Sequence, residues 1–173
     1  MKIKIISILF LICSYFQELN GQTNNTYIEF LGVGLLKSVN YEKMVVPDRV
    51  FARVSLGDLS DIETDETAPK LKITPICLGV NYMVGNKWRL ELGGGIAYWI
   101  ISYEGESELT GFGGLTEVSE GGNYFNLYST IGLRYQKPEG GINFKLGLSP
   151  TYAKIEGEKA TFNFPHLSIG YAW

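Results

Sequence analysis

Asn163-Phe-Pro-His-Leu-Ser-Ile-Gly-Tyr-Ala-Trp173 alternates strictly in character. Leu167, Ile169, Tyr171 and Trp173 fall on one side of a period-2 strand, and Ser168, Gly170 and Ala172 fall on the other. The pattern runs to the last residue, and that residue is aromatic. A soluble chain usually ends in a polar tail. A closing strand with apolar side chains turned outward and aromatics at its end is what a barrel in a lipid bilayer requires.

The opposite end of the chain fits the same destination. Lys2 and Lys4 precede an apolar run from Ile5 to Ile12, and a more polar stretch ends at Asn20-Gly21. A basic segment, a short apolar segment and a small residue are the marks of a secretory signal peptide, here residues 1–21. The apolar run falls well short of the ~20 residues that a spanning helix needs. Charged residues and glycine interrupt every later apolar stretch, so no helical span is expected. A lipoprotein reading would make Cys13 the acylated residue, but Ile12 before it is bulkier than such processing prefers. With Cys13 removed, Cys77 is the one thiol left, which excludes a disulfide within the chain.

Residues 22–173 suit one domain. Loss of Lys2, Lys4 and Glu18 takes the 15 basic and 18 acidic residues to 13 and 17, a net charge of −4. No basic face remains for a nucleic acid. Aromatic residues and glycine are abundant, which favours strands and close backbone approach.

Period-2 segments separated by turn residues recur along the chain. They predict strands at 26–34, 36–46, 49–57, 70–84, 87–103, 122–136, 141–154 and 162–173. Eight strands point to an all-β, antiparallel, up-and-down transmembrane barrel. Pro47-Asp48, Gly85-Asn86 and Lys137-Pro-Glu-Gly140 read as tight turns. Residues 58–69, 104–121 and 155–161 read as longer connections at the other end. The link near Val33–Leu35 is too short for that end, and a tight turn at Gly34 is the expectation.

The two faces of the strands differ in chemistry. Trp88, Leu90, Leu92 and Ile96 oppose Arg89, Glu91, Gly93 and Gly95, and later strands repeat the contrast. The apolar face suits lipid. The other face carries Glu29, Glu42, Arg53, Arg89, Glu91, Arg134 and Lys145. An eight-stranded barrel is just wide enough for its own side chains, so these charges must pair there. An ion-pair plug is expected, with a narrow ion or proton path as the alternative. Tyr82, Trp88, Tyr135, Tyr171 and Trp173 fall on the outward face near the short turns, where an interface belt belongs.

Several segments together resemble one family, the small outer-membrane β-barrel proteins of Bacteroidetes. They include Tyr27-Ile-Glu-Phe-Leu-Gly, Thr74-Pro-Ile-Cys-Leu-Gly-Val-Asn-Tyr82, Leu90-Glu-Leu-Gly-Gly-Gly95 and Ile131-Gly-Leu-Arg-Tyr-Gln136. The resemblance implies a Gram-negative outer-membrane barrel and no activity, because no catalytic motif travels with the fold.

Other features carry less. His166, the single histidine, shares a strand face with Ser168. A histidine beside a serine suits a base and nucleophile, as in lipid A acyl hydrolysis, yet no carboxylate follows to orient it. An interface or loop-base position for His166 is the plainer expectation. Asp58, Asp61, Glu63, Asp65 and Glu66 place oxygen ligands in one loop, a weak Ca²⁺ candidate without the central glycine of an EF-hand. Residues 104–121 are acidic too, and solvated loops are expected in both places. Gly93-Gly-Gly95 and Gly111-Phe-Gly-Gly114 open no helix after a strand and are not phosphate cradles. The expected role is structural or one of surface interaction, without cofactor. The expected partners are outer-membrane lipids, lipopolysaccharide and an extracellular partner at residues 58–69 and 104–121. A secreted lipocalin-like barrel holding an apolar ligand is the competing fold; it would place Arg89, Glu91, Arg134 and Lys145 in water.

Overall fold

The computed structural model describes residues 23–60, 70–104, 122–155 and 158–173. The proposed signal peptide and Cys13 lie outside them, as do Asp61, Glu63, Asp65 and Glu66 of the Ca²⁺ candidate and most of the acidic 104–121 segment. Among the described residues no helix is long and apolar enough to cross a membrane, which says nothing of strands.

Eight antiparallel strands form a closed up-and-down barrel in sequence order. They are β1 Asn24–Leu31, β2 Lys37–Val46, β3 Val50–Ser60, β4 Lys70–Gly85, β5 Trp88–Glu104, β6 Gly122–Gln136, β7 Gly141–Ile155 and β8 Glu158–Ala172. The decisive C-terminal stretch closes it: β8 pairs with β1 from Asn25↔Ala172 to Leu31↔His166. The Trp173 backbone exchanges hydrogen bonds of 3.0 Å with Asn24. Closure leaves no unpaired edge round the main body of the wall.

The turns use the residues expected of them. Asp48 takes φ +58°, Gly85 +127° and Gly140 +98°. Two connections at the other end depart from expectation. β7 and β8 pair as far as Ile155↔Glu158, so the loop predicted over 155–161 is mostly strand. The β1–β2 link is not a plain glycine turn at Gly34. It is a 3-10 turn, Gly32–Gly34, with all three residues buried. The positive-φ glycine is Gly32, at +78°, and Leu31 and Leu35 on either side share that sign at +61° and +65°. A side chain at Gly32 would strike Glu29 and His166, and one at Gly57 would strike the Gly34 carbonyl. The chain therefore turns into the barrel and carries Val33 with it.

The lumen has two storeys. Toward the short turns it is polar and charged. Toward the other end it is apolar: Val33, Leu35, Leu59, Cys77, Ala97, Trp99 and Tyr128 cluster, with Ile73, Phe162 and Phe164 packed against them. The charged face read from the sequence therefore fills the lumen only toward the short turns. Outward residues invert in step. Leu92, Ile96, Ile131, Leu146 and Ile169 are exposed apolar wall at mid-strand. Lys72, Ser102, Asn123, Lys159, Thr161 and Asn163 are exposed polar wall at the outer ends. An apolar-out surface thus gives way to a polar-out one along the same strands.

Candidate functional site: the charged lumen

Strand parity places the charges. Glu42 lies on β2, Glu91 on β5, Arg134 on β6 and Lys145 on β7, each pointing inward because its neighbours i±1 point outward. On the ladder Arg134 sits opposite Arg89 on one side and Lys145 on the other. Its anions must therefore come from elsewhere. They come chiefly from across the lumen, where the guanidinium donates to Glu42 Oε2 at 2.7 Å and Oε1 at 2.9 Å. Its Nε donates to Glu91 at 2.8 Å. The side chains of Arg134 and Glu42 are both 0 % exposed.

Glu42 is the hub. Besides Arg134 it accepts from Lys145 at 2.5 Å, Asn25 at 2.9 Å and Tyr27 at 3.0 Å. Asn81 donates to Glu91 at 2.6 Å, and Lys145 lies 3.5 Å from the centre of the Tyr27 ring. A second pair completes the cluster. Arg53 faces Glu42 directly on the β2–β3 ladder, yet its guanidinium bonds Glu29 at 2.7 Å and Asn40 at 3.0 Å. Three carboxylates thus meet three cations, and the low dielectric strengthens each contact. Such a cluster ties the strand walls together across the lumen.

Six of the seven charges expected in a lumen network meet in this way. Arg89 points inward but stands apart. It donates to the Asn86 carbonyl at 2.7 Å and approaches the exposed Asp48 only to 4.0 Å. The residues that the charge reading passed over are amides and a phenol: Asn25, Asn40, Asn81, Gln136, Asn143 and Tyr27. Each lies at inward parity on its strand, so the same alternation held the signal. A side chain at Gly93 would strike the Asn81 amide, so this glycine makes room for the network.

His166 lies at the foot of the β1–β2 link, opposite Leu31, but on the inward side rather than at an interface. It is buried in the lumen, where Nδ1 lies 3.0 Å from Ser149 Oγ. Ser168 Oγ is buried with no partner among the described residues. The histidine has thus found a serine, but one on β7. Asp58 forms an exposed pair with Lys37 at 3.4 Å. Among the described residues no three His, Cys, Asp or Glu side chains converge as metal ligands.

Outward aromatics collect at the short-turn end. Tyr82, Trp88, Tyr171 and Trp173 are exposed; Tyr135 is half-buried against Trp88, with ring centres 5.1 Å apart.

No protein-family model matches the sequence, and no curated protein matches it. Solved structures share the fold. The N-terminal β-barrel domain of Pseudomonas aeruginosa OprF superposes with a TM-score of 0.60 at 15% identity, over 89% of this chain and 100% of that domain. Ail of Yersinia pestis gives 0.49 at 14% identity, over 90% of this chain and 100% of Ail. The same outer membrane protein in a nanodisc gives 0.47 at 15%, over 88% and 99%. At such identity the likeness to OprF is one of fold alone.

Proposed function

We propose that this chain is an outer-membrane barrel of a Gram-negative bacterium, exported by the 1–21 segment and related to the small Bacteroidetes barrels it resembles. Its role is structural or one of surface contact, and its lumen is closed to solutes. The observation that carries this reading is the inverted polarity: Glu42, Glu91, Arg134 and Lys145 are buried inside, while the mid-strand wall outside is apolar. A lipocalin-like barrel in water would need the opposite arrangement. Lipids of the outer membrane, lipopolysaccharide among them, are the natural partners of that wall, and residues 58–69 and 104–121 the place for an external one.

Cell fractionation with gels run cold and boiled tests the location. The protein is expected in the outer-membrane fraction, with a mobility that shifts on boiling as the closed barrel opens. Recovery from the periplasm or medium would refute the membrane reading. In a planar bilayer the purified protein should give no stepwise current, since ion cluster and apolar storey block the axis in series. Regular conductance steps would refute the closed lumen.

The same interior supports a non-enzymatic role. His166 is bonded to Ser149 inside the barrel, and Ser168 Oγ has no partner among the described residues. Cells carrying H166A/S168A should have lipid A acylated as in cells with the unchanged protein. Deacylation that depends on either side chain would overturn this.

A further inference from the structure

The outer end of the wall is uneven. Pairing of β1 with β8 stops at Leu31↔His166, while β8 continues outward to Glu158 against β7. On the other side β2 starts at Lys37, opposite Asp58. The β1–β2 hairpin is therefore a low lip between taller strands. Pro165, next above the lip on β8, has no N–H to offer an added strand.

The lip is apolar on its outer side, with Phe30, Leu31 and Leu36 exposed. Just inside it lie Val33 and Leu35. Beyond them stand Phe162 and Phe164, half-buried on the inward side of β8, with ring centres 6.0 Å apart. Trp99 faces Phe162 at 6.4 Å. One apolar surface thus runs from the mid-strand wall, over the lip, into the outer storey. Buried polar groups there have no partner among the described residues: the Trp99 indole N–H, the Tyr128 hydroxyl, and the Asn126 amide at both its oxygen and its nitrogen. Native interiors rarely leave such groups unpaired.

We propose that the outer storey binds one acyl chain of an outer-leaflet lipid, which crosses the β1–β2 lip and lies against Phe162 and Phe164. The chain's ester or amide carbonyl would supply the acceptor that Trp99 or Asn126 lacks. This rests on the membrane reading above, because only a bilayer brings acyl chains to the lip. The occupant follows from the surface: it is continuous with the lipid-facing wall, and it combines an apolar track with buried donors that suit a carbonyl.

The three tryptophans, Trp88, Trp99 and Trp173, allow a direct test. The full-length protein is reconstituted in phosphatidylglycerol vesicles whose acyl chains carry bromine, a short-range quencher of tryptophan emission. Variants keep either Trp88 or Trp99 as the one tryptophan, the others being phenylalanine. Trp88 reports insertion. Trp99 reports the outer storey. Both are expected to lose emission relative to vesicles without bromine. Ala153→Phe, which adds bulk at a buried inward position of β7, on the ladder rung next but one to Phe162, should then restore Trp99 emission and leave Trp88 quenched. Ala153→Leu is the milder filler should the first fail to show the cold-gel shift of a folded barrel. Quenching of Trp88 with Trp99 untouched would overturn the acyl site and leave the membrane reading standing. Trp99 quenching that survives both fillers would come through the wall and would also overturn the site. If neither tryptophan is quenched, both readings fall.

Discussion

Glu42→Ala should destabilise the barrel by about 3–5 kcal/mol, the usual cost of removing one partner from a buried ion pair. The loss is large because Glu42 accepts from Arg134, Lys145, Asn25 and Tyr27 at once. Without it, Lys145 keeps, among the described residues, the Tyr27 ring and one carboxylate, Glu91 at 3.8 Å, and the Asn25 and Tyr27 donors lose their acceptor. Unfolding in urea, followed by the cold-gel mobility of the folded form in bilayer vesicles, would measure the effect. A second variant separates charge from packing. Glu42→Gln leaves the volume nearly unchanged and should still destabilise. Adding Lys145→Met should recover part of the loss, since a charge left without its partner costs more than an apolar group in the same place. A double-mutant cycle isolates the coupling. Loss below about 1 kcal/mol for Glu42→Ala would mean that the cluster is hydrated and behaves as a surface pair.

Leu92→Arg is expected to cost about 2–4 kcal/mol in a bilayer, the depth-dependent penalty for a cation near the midplane of a barrel's lipid face. Leu92 is exposed on β5, four residues from Trp88 in the aromatic belt, and pairs with Ile131 on β6, which is exposed as well. Val45→Arg is the comparison. Val45 is also exposed, but it lies at the end of β2 beside the short turn, and a cation there should cost only about 0–1 kcal/mol. The contrast between the two sites is the prediction. In a water-soluble barrel both positions would face solvent, and both substitutions would be nearly neutral. Equal, small effects would therefore contradict a lipid-facing wall.

Much of this was legible in the chain. Alternation in Trp88–Ile96 and Leu167–Trp173 fixes which side chains share a face, because a strand has period 2 whatever it packs against. The tight turns at Asp48, Gly85 and Gly140 were readable because few residues accept positive φ. The β1–β2 link was not readable. Leu31 and Leu35 are leucines in a backbone region that favours glycine, and only the burial of Val33 among Cys77, Trp99 and Tyr128 accounts for such a turn. The extension of β8 to Glu158 was missed for a related reason. Thr161 and Asn163 face outward beyond the apolar wall while Phe162 and Phe164 face inward, so the polarity is reversed there and reads like a loop.

By itself the sequence determined the strand count, the chemistry of the three short turns, the facing of residues within the segments it marks as strands, and the apolar character of the mid-strand wall. Those properties are local, set by the two-residue repeat and by φ at single positions. It did not determine who pairs with whom inside. The ladder places Arg53 beside Glu42 and sets Arg134 between two cations. Only closure of the barrel brings Arg134 to Glu42, 92 residues away on the opposite wall, and frees Arg53 for Glu29. A charge in a lumen this narrow sees the far wall as closely as its own neighbours, so its partner is settled by the diameter of the closed sheet.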